Sequence, residues 1–235
     1  MPARTLAGAH RHAGATENNL AETAFFVTRG AEYDLRWFSP AREIDLCGHA
    51  TLASAWVLFH PLGLAGDQVT FHSQGGVLTV RREGARLALD FPARPGAPAP
   101  ENPAVTRALG AAPREIVASR DRVYVFPDER DVRALRPDLA RLGEVDLFAV
   151  IATAPGTDSD YVFRFFAPAV GVPEDPATGS AHCTLAPYWA KRLGKPRMFA
   201  RQLSARGGEM WVEDRGERVI FSGNAVLYLE GAIEA

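Results

Sequence analysis

An internal repeat constrains the fold more than any other feature of this sequence. The segment RWFSPA at residues 36–41 recurs as RFFAPA at residues 164–169, an offset of 128 residues, and the register continues without a gap until Cys47 lies opposite Asp175. A turn of small residues follows each copy, and then a largely apolar stretch that predicts a helix. Repetition of strand, loop, polar side chain and helix start predicts two related lobes with a shared site where the halves meet.

The composition favours small-molecule chemistry. A chain of 235 residues with 47% hydrophobic residues can bury a full core. Its formal net charge is −2 and its charged residues are scattered along the chain, so neither a basic face for nucleic acid nor a polybasic membrane patch is expected. The two cysteines lack the CxxC spacing of zinc sites, and the sequence shows neither a membrane-length apolar run nor a signal peptide. We therefore expect a cytoplasmic protein without a bound metal.

Hydrophobic patterning divides the chain into two lobes of α+β class. The first lobe, over residues 1–95, begins with a weakly patterned, solvated tail and contains a buried helix predicted over 49–63. A linker rich in proline and alanine follows at 92–103. The second lobe, over 104–223, repeats the order of elements, with a helix predicted from 177 to 193 and capped by Asp175. A last strand within 224–235 is expected to return to the first lobe.

Two helix starts brought face to face would form a cradle for a carboxylate. Each start carries backbone N–H groups without intrahelical partners and a partial positive charge. Small residues at these starts, Gly48, Gly179 and Ser180 among them, let a ligand approach the backbone. Such a cradle stabilises the negative charge that develops when a carbon next to a carboxylate loses or gains a proton. The expected partner is therefore a small carboxylic acid.

Proton transfer at carbon needs a suitable side chain, and four are candidates. Glu22 directly precedes an apolar strand, where it is either a desolvated acid/base or a solvated acid. His49 lies at the first helix start, where it is either a neutral donor and acceptor or a satisfied core histidine. Asp175 is either chemical or an N-cap, and Cys47 is either a thiolate base or packing. Ser180 does not lie in a GxSxG elbow, so serine nucleophilic catalysis is not expected.

Three motifs together resemble the phenazine-biosynthesis PhzF-like family, which has the diaminopimelate-epimerase-like fold. They are NLAETAF at 19–25, LCGHAT at 46–51 and EDPATGSA at 174–181. The resemblance implies two similar lobes, each a curved, mostly antiparallel sheet forming an open barrel around a central helix. It also implies a cofactor-independent isomerase, commonly a homodimer, that moves a proton between carbons of a small cyclic or unsaturated carboxylic acid.

The resemblance also implies roles for individual residues. Glu22 matches the family's catalytic acid/base, and the positions that match substrate-binding or assisting residues are His49, Asp175, Ser180, Gly48 and Gly179. Related epimerases place a cysteine at both helix starts, whereas here Cys47 lies opposite Asp175, so a racemase with two thiols is not expected.

Two alternatives to the isomerase remain open. One is a non-catalytic or degenerate paralogue that binds small acids, and the other is a racemase or epimerase that uses Cys47 with Asp175. The family's usual N-terminal strand and Gly-Asn-Pro loop are not found ahead of residue 17. A first lobe with a shortened N-terminus is therefore expected, which would leave the active site in doubt.

Overall fold

The structure, a computed structural model, describes residues 8–232. Within this range the chain forms two units, one containing the residues up to Asp90 and those from Ser222 onward, and the other Phe91–Phe221. No helix in the described range is both long and apolar enough to cross a membrane.

The first unit is built on a sheet of five strands in sequence, to which a short sixth strand is paired. Its elements are α1 (Gly8–Asn18), β1 (Thr23–Arg29), β2 (Glu32–Phe38), β3 (Glu43–Ile44), α2 (Gly48–Phe59), β4 (Gln68–Ser73), β5 (Gly76–Glu83) and β6 (Arg86–Pro92). The strand order is β1-β2-β4-β5-β6, with β3 paired to β2. All pairs are antiparallel except β2 and β4, which are parallel because the connection carrying α2 crosses from one to the other.

The second unit contains a longer sheet with the order β14-β13-β12-β11-β10-β9-β8-β7. Its elements are β7 (Ala97–Pro98), α3 (Pro103–Leu109), β8 (Glu115–Ala118), β9 (Arg122–Val125), α4 (Glu129–Ala134), α5 (Leu139–Gly143), β10 (Val150–Pro155), β11 (Tyr161–Phe166), α6 (His182–Leu193), β12 (Arg197–Gln202), β13 (Gly208–Asp214) and β14 (Arg218–Gly223).

The sequence repeat corresponds to a repeated pattern of strand pairing. In the first unit the antiparallel hairpin β1–β2 leads through α2 to β4, which pairs parallel to β2 and antiparallel to β5. In the second unit β10–β11 leads through α6 to β12, which pairs parallel to β11 and antiparallel to β13. Helix α2 contacts β1 and β5, and α6 contacts β12 and β13. The predicted α+β fold, with one central helix against each sheet, is confirmed.

Two segments of the first unit differ from expectation. The tail predicted at the N-terminus contains α1, where His12 Nε2 donates to the Pro40 carbonyl at 3.0 Å; residues 1–7 lie outside the described range. Residues 224–232 form neither helix nor strand, although the apolar run 225–229 predicts a strand. A strand requires a ladder partner, and in the described structure this run has none, so it stays largely exposed. Residues 233–235 lie outside the described range.

The segment predicted as a linker, 92–103, is built into the second unit. Ala97 and Pro98 pair with β8, and the Arg94 N–H donates to the Cys183 carbonyl at 2.7 Å. That carbonyl is free to accept because Pro187, four residues later in α6, has no N–H for the usual helical bond. The proline inside the helix is therefore compensated by a neighbouring backbone donor.

The two central helices begin and end differently from the prediction. Helix α2 ends at Phe59 rather than at residue 63, because Pro61 cannot donate a helical hydrogen bond. Helix α6 does not start at residue 177: a 3-10 turn at Gly179–Ala181 precedes it, and the helix runs from His182 to Leu193. Gly194 ends it with a φ of 69°, as its sequence position predicts.

Candidate active site

Glu22 lies immediately before β1, at the end of the sheet where α2 begins. Its side chain is 10% exposed, and its Oε2 lies 3.1 Å from His49 Nε2. That contact is close enough for an ion pair with a protonated imidazole but is poorly aligned for a hydrogen bond. Among the described residues no other group donates to this buried oxygen. The sequence left a solvated acid open, and the structure instead buries the carboxyl group beside an imidazole.

His49 is the second residue of α2 and lies between Glu22 and Cys47. Its Nδ1 and Nε2 lie 3.8 and 3.9 Å from Cys47 Sγ, and its side chain is 31% exposed. The imidazole therefore touches both neighbours while part of the His49 side chain stays exposed to solvent. A core histidine with every contact satisfied inside the protein, the alternative left open by the sequence, does not describe this position.

Cys47 is the N-cap residue of α2 and makes no side-chain capping hydrogen bond. It is almost fully buried, and this burial raises the pKa of its thiol. The thiol is therefore neutral near pH 7, which disfavours the thiolate base considered from the sequence.

The first turn of α2 provides backbone donors next to these side chains. The first intrahelical bond runs from the Thr51 N–H to the Cys47 carbonyl, so the N–H groups of Gly48, His49 and Ala50 precede the helical ladder. Thr51 Oγ1 also donates to the Cys47 carbonyl, at 2.5 Å. A helix start whose first amides precede the helical ladder suits a carboxylate or another anion.

In the second unit, Asp175 is buried and organises a turn rather than capping the long helix. Its Oδ2 accepts from Thr178 Oγ1 at 2.6 Å and its Oδ1 from the Ala177 N–H at 3.4 Å. Because both donors precede the 3-10 turn, the predicted role of Asp175 as the N-cap of the helix is corrected: it closes the turn leading to Gly179.

Gln202, at the end of β12, completes this turn and was not identified from the sequence. Its amide donates to the Asp175 carbonyl at 2.5 Å and to Thr178 Oγ1 at 3.1 Å, and its carbonyl accepts from the Thr178 N–H. The residue is buried and lies 27 positions after Asp175. Only the parallel pairing of β11 with β12 brings it there, and no local sequence signal marks that approach.

Gly179 and Ser180 form the 3-10 turn that precedes α6, and both are buried. A Cβ on Gly179 would lie 2.4 Å from Phe221 Cε2, so the ring of Phe221 already fills the space beside this glycine. Packing alone therefore favours a glycine here, whether or not a ligand also approaches.

The buried His182, at the start of α6, belongs to the core of the second unit. Its Nδ1 lies 2.7 Å from the Tyr161 hydroxyl and its Nε2 lies 2.9 Å from Met210 Sδ. Burial lowers the pKa of His182 to about 3, so the ring is neutral at physiological pH. The hydroxyl of Tyr161 is held un-ionised for the same reason, since burial raises its pKa.

The structure thus groups the predicted site residues within each unit. Glu22, Cys47, Gly48 and His49 lie together in the first unit, and Asp175, Gly179 and Ser180 lie along one turn of the second. Among the side chains that the structure describes, one set of three metal-ligating groups is close enough to share an ion: Glu22, Cys47 and His49, whose ligand atoms all lie within 4.8 Å of one another.

The sequence matches a family model described as PhzC-PhzF, phenazine biosynthesis-like protein, over residues 6–231. An uncharacterized isomerase of Pseudomonas aeruginosa is 51% identical over 219 residues, covering 93% of this chain and 85% of that protein. The human phenazine biosynthesis-like domain-containing protein is 37% identical over 250 residues, covering 94% and 87%.

Solved structures resemble this one closely. A PhzF-family protein from Enterococcus faecalis aligns with a TM-score of 0.91 and 44% identity, covering 96% of this chain and 87% of that one. A hydroxyproline epimerase from Agrobacterium vitis aligns with a TM-score of 0.58 and 11% identity, covering 88% and 73%, which is a likeness of fold alone.

Proposed function

This chain belongs to the PhzC-PhzF family of phenazine biosynthesis-like proteins, and from that membership we propose that it is a cofactor-independent isomerase. The proposed reaction moves a proton between carbons of a small cyclic or unsaturated carboxylic acid. Relatives named as isomerases support the reaction class, and the arrangement of Glu22, His49 and the α2 start supports the chemistry.

One observation carries the proposal: a carboxyl group nine-tenths buried lies 3.1 Å from an imidazole at the start of a helix. A carboxyl group removed from water and touching a group that can itself exchange protons suits general acid/base work. The partial exposure of the His49 side chain gives the pair a route to exchange protons with solvent.

In the proposed step Glu22 takes a proton from one carbon of the substrate. The electron pair of the broken C–H bond forms a new C=C bond, the pair of the existing double bond moves to the far carbon, and that carbon receives the proton back from Glu22. Between the two proton transfers, negative charge spreads onto the substrate carboxylate. The amides of the first turn of α2 stabilise that charge because they are oriented before the reaction begins.

The remaining motif residues are proposed to bind substrate. Gly48 is proposed to contribute a backbone contact, and Asp175, Gly179 and Ser180 are proposed as substrate-binding residues, each by its position in the family's motifs. Asp175 presents a buried carboxyl group held by Thr178 and a turn held by Gln202, which supports a fixed rather than mobile role.

The racemase alternative is less favoured because it needs Cys47 as a base. Burial raises the pKa of this thiol, so little thiolate is present near pH 7. Replacement by serine should therefore reduce turnover far less than loss of the Glu22 carboxyl group.

The test is deuterium incorporation from D2O into a panel of cyclic and unsaturated carboxylic acids, followed by NMR. Glu22→Gln should abolish exchange while ligand affinity stays within about tenfold, because only the transferable proton is lost. Glu32→Gln is the matched control, since Glu32 also contacts a histidine, His72, but on a more exposed strand. Exchange that persists in Glu22→Gln refutes the mechanism; binding without exchange in the wild type identifies a non-catalytic acid-binding protein.

We also propose a homodimer and a cytoplasmic location. Both cysteines are free and buried, which suits a reducing compartment. Sedimentation velocity of the purified chain tests the dimer, and fractionation of cells producing it tests the location.

A further inference from the structure

We infer that Glu22, Cys47 and His49 form a binding site for a soft divalent cation, Zn²⁺ above all, and that the ion blocks the proposed proton transfer. Metal binding stands on the geometry of the three side chains. The blocking rests on the proposed function, because the ion would occupy the acid/base.

The donor set selects the metal. One thiol sulfur, one imidazole nitrogen and one carboxylate oxygen are the ligands that Zn²⁺ takes in proteins, whereas Mg²⁺ and Ca²⁺ require oxygen ligands in larger number. The Cys-x-His spacing at residues 47–49 gives no familiar zinc pattern, and the third ligand comes from 25 positions before Cys47. Sequence spacing alone therefore could not indicate this site.

The distances fit a tetrahedral ion with little movement. Zinc–nitrogen and zinc–oxygen bonds near 2.0–2.1 Å and a zinc–sulfur bond near 2.3 Å place neighbouring ligand atoms about 3.3–3.6 Å apart. His49 Nε2 lies 3.1 Å from Glu22 Oε2 and 3.9 Å from Cys47 Sγ. All three atoms lie within 4.8 Å of one another, so shifts of about 1 Å would complete the coordination.

The ligand atoms of Glu22 and Cys47 both contact the ring of His49, the third ligand. The Glu22 side chain is nine-tenths buried, and its Oε2 accepts no aligned hydrogen bond among the described residues. Cys47 makes no capping hydrogen bond to the start of α2. A buried oxygen without an aligned donor is costly unless it binds a cation or exchanges a proton.

Access and charge balance complete the argument. The His49 side chain is partly exposed, so the cluster reaches the protein surface, where an ion can enter and water can supply the fourth ligand. Binding converts the Cys47 thiol to a thiolate: the S–H bond breaks, sulfur keeps the electron pair for the metal, and one proton leaves to solvent. Three protein ligands and an open position are typical of exchangeable rather than structural zinc.

The test is a zinc titration of chelator-treated protein against a chromophoric chelator, with Co²⁺ as a spectroscopic probe. The wild type should bind one equivalent of zinc at this site and show a thiolate-to-cobalt charge-transfer band. Cys47→Ser should lose that band and weaken zinc binding by at least about 100-fold, and Glu22→Gln should weaken it by at least about tenfold. Cys183→Ser is the matched control, because this second buried cysteine lies in the other unit and should leave both signals unchanged.

The outcomes separate the two halves of the inference. Unchanged zinc affinity in Cys47→Ser, or a wild-type cobalt complex without the thiolate band, overturns the metal site, and circular dichroism verifies that each variant is folded. Zinc should stop deuterium exchange in the wild type, EDTA should restore it, and Mg²⁺ should have no effect. Exchange that continues with zinc bound overturns the blocking. If the metal-free protein exchanges no acid, the blocking fails with the proposed function, and the binding data still decide the metal site.

Discussion

Arg164 and Glu174 are joined by two parallel hydrogen bonds, from Nε to Oε1 at 2.8 Å and from Nη2 to Oε2 at 2.9 Å. Arg36, its counterpart in the sequence repeat, makes the same two bonds to Glu43 at 2.6 Å each. The guanidinium of Arg164 also lies over the ring of Phe166. Each half therefore uses a forked ion pair across the loop that leads to its candidate residues.

Replacement of Arg164 by lysine should destabilise the protein by about 1–3 kcal/mol, because lysine keeps the charge but loses the fork and the bond to the Leu135 carbonyl. Arg36→Lys should cost about 1 kcal/mol or less, because the Arg36 side chain is 35% exposed against 12% for Arg164. Urea unfolding of both variants measures the difference. Equal costs would show that burial does not govern the strength of these pairs.

The repeat made much of the fold predictable. The shared order of elements in the two halves predicted one central helix for each sheet. The individual helices are predicted from local signals, because side-chain periodicity and turn residues are read within a few positions of the chain. Glu22 and His49 could be named as candidates for the same reason, one at a strand start and the other at a helix start.

Other features depend on contacts that are distant in sequence. Gln202 reaches Asp175 only because β12 pairs parallel to β11, and Glu22 reaches His49 only because β1 lies beside α2. The C-terminal run at 225–229 has the residue pattern of a strand, but a strand forms only beside a partner strand. The composition of the run does not indicate whether such a partner lies nearby. Helix α6 begins later than predicted because Asp175 accepts hydrogen bonds within its own turn, from the Ala177 N–H and Thr178 Oγ1, instead of capping the helix. The sequence pattern is compatible with either arrangement.

Asp175→Asn separates the structural from the chemical role of this carboxyl group. Asparagine can still accept a hydrogen bond in the turn, so the free energy of unfolding should fall by only about 1–2 kcal/mol. If the carboxylate takes part in the reaction, kcat/KM for deuterium exchange should fall by more than about 100-fold. Gln202→Glu provides the comparison, since it disturbs the same turn while Asp175 is kept. Loss of stability and activity in proportion would assign Asp175 to structure alone.

His182 should make the protein less stable in mild acid. Its pKa is about 3 in the folded protein, below the ordinary value of 6.5, so the unfolded chain binds the additional proton as the pH falls below 6.5. The stability present at neutral pH is therefore lost progressively from about pH 6.5 towards about pH 3. Between about pH 8 and about pH 5, His182 alone should lower the free energy of unfolding by about 2 kcal/mol.

His182→Gln should remove that part of the pH dependence while keeping a hydrogen bond to Tyr161. Urea unfolding of wild type and variant across this range gives the two slopes, and the other histidines cancel because both proteins contain them. Parallel slopes would mean that His182 titrates in the folded protein near its ordinary value.

Gly179→Ala tests whether the glycine is required by packing. The added Cβ would lie 2.4 Å from Phe221 Cε2, so the ring or the turn must move, at a cost of about 1–3 kcal/mol. Gly208→Ala is the matched control: its Cβ would meet neighbouring atoms at 3.5–3.6 Å, ordinary contact, and should change stability by less than about 1 kcal/mol. Phe221→Leu in the Gly179→Ala background should recover part of the loss, because the smaller side chain vacates the space. A stable Gly179→Ala protein that no longer binds carboxylates would instead show that the glycine is needed for close approach of a ligand.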